Sequence, residues 1–310
     1  MTITQLQYIV AVSELKSFVK AADKCSVTQP TLSMQIQKLE EELKIKLFDR
    51  SKQPVIATLI GEEILNQARV VLNEFAVLTE IARNKEGQVS GRLNLAVIPT
   101  LAPYFLPTFI NKFLSKYPEV ELHIFEIPTE QIISKLKAGT VDCGLLATPL
   151  LDYTLTEMVM FYEPFVAYIS RRNHLFDQKE IEAKELSLEE TWIINEGHCL
   201  RNQVLNLCQE KQSVLDKSFN YESGSLETLK RLVELDQGVT ILPLLATLDL
   251  SENQQELVRH FKSPIPVREI SLVIHRQYLK KKLVDAVSEI ILDSVPPELK
   301  DSKNRFVVPL

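Results

Sequence analysis

The sequence predicts a small all-α head, a long connecting helix and a larger α/β body. Three observations carry this. Residues 1–58 hold short runs at helical spacing, residues 62–83 hold one long amphipathic run, and from Arg92 onward strand-like runs alternate with helical ones. At 310 residues the chain can bury two or three cores of ordinary size.

Composition narrows the class. Apolar content of 45% and charged content of 25% are those of a globular chain in water. No apolar run approaches the roughly 18 residues of a membrane span. Met1-Thr2-Ile3-Thr4-Gln5 lacks the basic flank and apolar core of a secretory leader. A cytoplasmic protein with no membrane partner is expected, and there any disulfide is transient. Four cysteines without a Cys-x-x-Cys pair give little support to zinc, and no cofactor is expected. The net charge of -6 alone argues against nucleic acid, but its distribution matters more. Residues 1–58 carry eight Lys/Arg against six Asp/Glu, and the remainder 27 against 35. A slightly basic head on an acidic body suits a DNA-binding module joined to a domain with another task.

In the head, Leu6, Ile9, Val10 and Ser13 follow helical spacing, and Leu15 closes the segment. Ser17 reads as the N-cap of Phe18–Lys24, with Phe18, Ala21 and Ala22 buried. Cys25-Ser26-Val27 makes a tight connection. Thr28 caps the next helix, which tolerates Pro30 in its first turn and runs to about Leu43, burying Leu32, Ile36, Leu39 and Leu43. Its other face shows Gln29, Thr31, Ser33, Met34, Gln35 and Lys38. Two short helices joined by a brief turn make a helix-turn-helix, whose second helix enters the major groove. Small polar and amide side chains suit base edges, and the helix end suits phosphate. Arg50, Ser51 and Lys52, ahead of the short strand Val55-Ile56-Ala57, form a wing over the flanking backbone. An ordinary helical hairpin with a solvated polar face is the alternative on this pattern alone.

Phe18, Ala21-Ala22, the run Val27–Ser33, Ile36, Leu39-Glu40, Leu43 and Leu47-Phe48-Asp49-Arg50 resemble the N-terminal signature of the LysR-type transcriptional regulators. The similarity continues through Thr58 and Gly61, departing at Leu59-Ile60, where small residues are usual; this should affect packing more than function. The resemblance implies a winged helix-turn-helix in residues 1–58. It implies that Gln29, Pro30, Thr31 and Ser33 face the groove and that Arg50 holds phosphate. Thr28, Gln35, Lys38 and Lys52 complete the expected contacts with double-stranded promoter DNA.

From Glu62 to about Arg83, apolar residues recur at threes and fours. More than 20 residues of amphipathic helix suggest a partner helix, as in a coiled coil, or packing against the protein's own body. The resemblance implies the former. Residues 84–91 are polar and glycine-bearing, so residues 59–91 read as linker helix and hinge.

Strand-like runs follow at Leu93–Ile98, Glu121–Ile127, Cys143–Ala147, Phe165–Ile169, Trp192–Asn195, Val239–Leu242 and Ile270–Ile274. Helices are expected near Leu106–Tyr117, Glu130–Ala138, Ser225–Leu235 and Leu279–Leu292. The alternation argues for a largely parallel sheet, with ligands beyond the carboxyl ends of its strands. By resemblance this body, residues 92–300, is a regulatory domain of two lobes like those of periplasmic binding proteins. Its chain crossovers fall near Tyr162–Phe165 and Ser263–Glu269. Residues 301–310, after Pro296-Pro297, read as a loose tail.

One stretch carries candidate chemistry. Gly197-His198-Cys199-Leu200-Arg201 places a thiol at the start of a helix-like segment beside cationic groups, which favours its thiolate. Cys208 lies nine positions on. In an unbroken helix that is about 13.5 Å along the axis, against the roughly 4.4–6.8 Å that a disulfide asks of its Cα atoms. A bond between them would be a conformational event. Alternatively Cys208 is a core cysteine on the apolar stripe of Val204, Leu205 and Leu207.

Gly197–Gln203 and Cys208 are similar to the sensing segment of the peroxide-responsive LysR-type regulators. Matches at Ile98-Pro99-Thr100, Tyr104, Leu106-Pro107, Thr129, Leu136, Asp142-Cys143, Glu163-Pro164, Ser225–Leu229 and Thr240–Pro243 support this, while Asp236-Gln237-Gly238 departs in its turn. The resemblance implies a peroxidatic Cys199, a resolving Cys208 and peroxide held by Thr100, Thr129 and His198, with Arg201 aiding the thiolate. It implies a homotetramer, a dimer of dimers, working with RNA polymerase and reset by a cellular dithiol. Cys25 and Cys143 receive no redox role. Three other readings stand beside it: a LysR-type regulator of an organic effector bound between the lobes, a thiol peroxidase carrying a DNA-binding head, and a zinc site at His198, Cys199 and Cys208, which lacks an evident fourth ligand.

Overall fold

Thr2 starts the first helix by a reciprocal pair of bonds. Its hydroxyl accepts from the Gln5 amide while the Gln5 side chain accepts from Thr2 N, fixing α1 at Ile3–Leu15. The computed structural model describes residues 1–83, 89–195, 199–208, 224–235, 238–276, 281–300 and 304–310. It divides into two units, Met1–Gln88 with Lys137–Thr140, and Val89–Leu136 with Val141–Leu310.

In the first unit, Ser17 caps α2 (Phe18–Lys24) and Thr28 caps α3 (Gln29–Leu43), with Pro30 in the first turn as expected. Leu6, Ile9 and Val12 of α1 meet Ala21, Ala22, Leu32, Ile36 and Leu39 in one core. A two-stranded antiparallel wing follows, β1 (Phe48–Asp49) against β2 (Ile56–Ala57). The long helix α4 (Leu59–Arg83) buries Leu65 and Ala68 against the same core. Gly61 is required there: a Cβ would lie 2.2 Å from the Leu47 carbonyl oxygen. Leu59 and Ile60, the departure noted above, are exposed. So are Val71, Phe75 and Leu78, spaced four and three residues apart along α4.

The second unit opens with β3 (Gly91–Val97), α5 (Ala102–Lys116), β4 (Val120–Glu126), α6 (Thr129–Lys137) and β5 (Cys143–Thr148). These form two βαβ units, with strands in the parallel order β4-β3-β5. There follow β6 (Leu155–Ile169), β7 (Glu180–Ile181), β8 (Thr191–Trp192), α7 (Cys199–Leu207), α8 (Leu226–Glu234), β9 (Val239–Pro243), α9 (Glu252–Gln255), β10 (Val258–Phe261), β11 (Ile265–His275), α10 (Lys281–Ser294) and β12 (Arg305–Val307). Among the described residues, ten of these strands join in one mixed sheet.

The sheet is less parallel than the alternation suggested. β11 runs antiparallel to both β5 and β6, and β6 antiparallel to β9 and β10. The reason is β6 itself, which begins ten residues before the expected Phe165. It pairs with β11 as far as Pro164 and with β9 from Phe165. Proline has no N–H for the ladder, so the change of partner falls where pairing is weakest. This is the first crossover. The second lies between the end of β10 and the start of β11; Ile265–Glu269, expected within it, already belong to the strand. The crossovers separate two cores: lobe 1 with Leu95, Phe105, Phe109, Phe161 and Val287, and lobe 2 with Phe165, Tyr168, Val204, Leu229 and Leu242.

The loose tail is a further correction. Residues 304–310 are ordered: β12 pairs in parallel with Ile265–Val267, and Val308 is 1% exposed in the lobe 2 core. The charged stretch before it hid a short run of strand-forming apolar residues, Phe306-Val307-Val308, from periodicity.

Candidate functional site

The head presents its polar residues as a surface. Thr28, Gln29, Pro30, Thr31 and Lys38 on α3 are exposed, as are Arg50 and Lys52 in the wing, while Ser33 and Gln35 are half-buried. Gln35 is shared with α1, since its Oε1 and its carbonyl both accept from Gln5 Nε2 at 3.4 Å. Arg50 is held from three sides. Its Nη1 donates to Ser33 Oγ at 3.1 Å, its Nη2 to Glu40 Oε2 at 3.2 Å, and its guanidinium lies 4.9 Å from the Phe18 ring centroid. Glu40 is buried and also accepts from the amides of Leu47 and Phe48. Its one carboxylate thus fixes both the start of the wing and the arginine, a role that the reading of α3 by its apolar stripe overlooked.

In the second unit, Cys199 is the first residue of α7 and Cys208 the residue just beyond its end. Both are buried, and all four cysteines carry thiols. They lie in different places: Cys199 packs in the lobe 1 core, Cys208 in the lobe 2 core. Cys208 N still bonds to Val204 O at 3.1 Å, so the helical repeat persists to the second cysteine. Nine helical residues set about 13.5 Å of rise between them.

Thr100 and Thr129 follow the carboxyl ends of the neighbouring parallel strands β3 and β4. Thr129 opens α6, and its Oγ1 is buried with no hydrogen-bond partner among the described residues. Leaving a buried hydroxyl so costs roughly 1–3 kcal/mol. Thr100 Oγ1 accepts from Arg268 Nη1 at 2.9 Å, and its carbonyl from Arg268 Nη2 at 3.2 Å. His198 lies outside the described residues. Arg201 donates Nη1 to the Ile194 carbonyl at 3.2 Å, so that donor goes to backbone.

Arg268 was not foreseen as a site residue. It stands on β11 at 0% exposure, paired with equally buried Glu163 on β6: Nε to Oε2 is 2.9 Å and Nη2 to Oε2 is 2.7 Å. Glu163 Oε1 accepts from Leu245 N at 2.9 Å, leaving both carboxylate oxygens engaged. The available signal was two opposite charges embedded in apolar strand runs, which are tolerated only when paired. A second polar bridge runs from the start of α5 in lobe 1 to α8 in lobe 2. Tyr104 Oη donates to Glu227 Oε1 at 2.9 Å, and Lys230 Nζ lies 2.7 Å from that same oxygen. Burial, then the Glu227 carboxylate, push the Tyr104 hydroxyl pKa above its ordinary value, so it remains a donor.

No helix among the described residues is long and apolar enough to cross a membrane. Residues 3–62 match the family model "Bacterial regulatory helix-turn-helix protein, lysR family", and residues 86–296 match the LysR substrate binding domain. A "Hydrogen peroxide-inducible genes activator" of Haemophilus influenzae is 34% identical over 95% of this chain and 97% of its own. The "DNA-binding transcriptional dual regulator OxyR" of Escherichia coli K12 is 35% identical over 88% of this chain and 89% of its own. Among solved structures, full-length OxyR of Pseudomonas aeruginosa, a cysteine-to-aspartate variant, superposes with a TM-score of 0.79 at 30% identity, over 94% of this chain and 98% of that one. Corynebacterium glutamicum OxyR with a cysteine-to-serine change and H2O2 bound gives 0.61 at 27% identity, over 94% and 92%. The chain belongs to the LysR family of DNA-binding transcriptional regulators, proteins that regulate rather than catalyse.

Proposed function

We propose that the chain is a peroxide-sensing transcriptional regulator in which Cys199 is the sensor and Cys208 its resolving partner. The observation that carries this is the placing of two buried thiols at opposite ends of one nine-residue helix, each in a different lobe. The Cys199 thiolate attacks one oxygen of H2O2; an S–O bond forms, the O–O bond breaks, and the departing hydroxide takes a proton to become water. Thr100 and Thr129 hold the peroxide with His198, and Arg268 orients Thr100. The Cys208 thiolate then attacks the sulfenic sulfur, forming S–S and releasing the hydroxyl as a second water. A cellular dithiol reverses the bond by exchange.

Mass spectrometry after about one equivalent of peroxide should find residues 199 and 208 linked. Mixed or absent linkage would leave an organic-effector regulator as the better account. Steady peroxide consumption with reductant would instead favour a thiol peroxidase.

The oxidised body alters the hold of the head on promoter DNA in the cytoplasm and, through it, RNA polymerase. Exposed Val71, Phe75 and Leu78 on α4 support pairing of two chains, and pairing of dimers through the bodies gives a tetramer. At the DNA, Thr28, Gln29, Pro30, Thr31, Ser33, Gln35 and Lys38 face the groove, with Arg50 and Lys52 on the flanking backbone. Arg50→Ala should weaken binding to all duplexes alike and lower the slope of log affinity against log salt by about 1. Fluorescence anisotropy across a salt series reads both; an unchanged slope removes Arg50 from the phosphate contacts.

A further inference from the structure

Residues 304–310 join the crossover strands of the second unit to α7. On one side they are tied to the crossover strands. Ile265 N donates to Asn304 O at 3.0 Å, β12 pairs with Ile265–Val267, Val308 N donates to Val267 O at 2.9 Å, and Arg305 Nη1 donates to Tyr162 O at 3.2 Å. On the other side they are tied to α7. Gln203 Nε2 donates to Val308 O at 3.1 Å, and Asn206 Nδ2 to Pro309 O at 3.2 Å. Gln203 and Asn206 are three positions apart on one helix face, and both lie between the two cysteines. Val308 is buried in the lobe 2 core with Leu200, Val204, Leu207 and Cys208, while Leu310 packs on the lobe 1 core that holds Cys199.

Gln203 makes its bond at some expense. Its side chain is fully buried, and Oε1 has no partner among the described residues. A leucine there would bury the same volume without an orphaned acceptor. The polar residue is accounted for by its Nε2 bond to the Val308 carbonyl, which lets the segment read the position of α7.

We propose that residues 304–310 are a clasp on α7, and that Gln203 and Asn206 are positioning residues for disulfide formation. This rests on the Cys199–Cys208 reading above. The clasp holds α7 helical and keeps the thiols apart until the sulfenic acid has formed. Bringing Cys208 to Cys199 unwinds or displaces residues 200–207, which must break both side-chain bonds to the segment. The clasp therefore retards the second step and leaves peroxide attack on Cys199 alone. Once α7 leaves, Val308 loses its helix neighbours and the hold of β12 on β11 loosens, which passes the redox state of α7 to a crossover strand.

Stopped-flow oxidation of the full chain separates the steps, since the first phase scales with peroxide concentration and the second does not. Asn206→Ala should speed the second phase about threefold and leave the first unchanged; Gln203→Leu should speed the second phase by up to about tenfold. A second phase that is unchanged or slower in either variant overturns the clasp. Hydrogen exchange on the unsubstituted chain needs no variant. Protection of Val308 N and Ile265 N should fall on oxidation and stay in place in peroxide-treated Cys208→Ser. Protection retained after the disulfide has formed overturns the proposal. Absence of any second phase in the unsubstituted chain would strike the disulfide reading, and the clasp with it.

Discussion

Cys199→Ser is expected to reduce the reaction with peroxide to the background of the remaining thiols, while Cys208→Ser keeps the reaction and stops it at the sulfenic acid. Serine is not ionised at neutral pH, so it supplies no nucleophile for the O–O bond. Cys208 acts only after that bond is broken. Its loss leaves Cys199–SOH without a resolving thiol, open to trapping by a sulfenic-acid reagent or to further oxidation. Both substitutions are close to isosteric, and each exchanges a buried thiol for a hydroxyl, so a thermal melt of each variant accompanies the kinetics. Intact-mass measurement at early times distinguishes them: one added oxygen in Cys208→Ser, none in Cys199→Ser. Equal reactivity in the two variants would end the division of labour between the thiols.

The same pair shows what the sequence could disclose. The spacing of Cys199 and Cys208 and the helical composition between them make the thiols distant in any intact helix, and α7 spans Cys199–Leu207. That each thiol lies in a different core could not be read locally, because it depends on how β6 and β11 cross between lobes. The head was legible almost residue by residue, since caps at Ser17 and Thr28 and the stripe of Leu32, Ile36 and Leu39 are local signals. The hold of Glu40 on Arg50 was not, because nothing in an apolar stripe marks a buried carboxylate ten residues from its partner. In the body, the first crossover was expected from the family resemblance alone; its physical basis, the change of partner of β6 at Pro164, shows only in the strand pairing. Arg268 went unrecognised because its partner stands 105 residues earlier on another strand, and no local pattern links two charges so far apart in the chain. Residues 304–310 were misread for the opposite reason: charges just before them outweighed three apolar residues.

Glu163→Gln is expected to destabilise the second unit strongly. Arg268 is then left buried with its charge uncompensated, and removal of one partner from such a pair typically costs about 3–5 kcal/mol. In a body of this size that lowers the thermal midpoint by on the order of 10 °C. The loss also reaches the site, because the guanidinium that fixes Glu163 is the one that donates to the Thr100 hydroxyl and carbonyl. The double variant Glu163→Gln, Arg268→Met separates the two effects. With the charge gone and an apolar chain of similar length in its place, most of the stability should return, since apolar replacements of buried pairs are often neutral or better. Thr100 would still lack its donors, so oxidation of Cys199 should remain slow in the restored protein. Calorimetry and peroxide kinetics on the same samples read the two quantities independently. Native kinetics in a double variant of native stability would confine Arg268 to holding the strands together, and Thr100 would need no orientation from it.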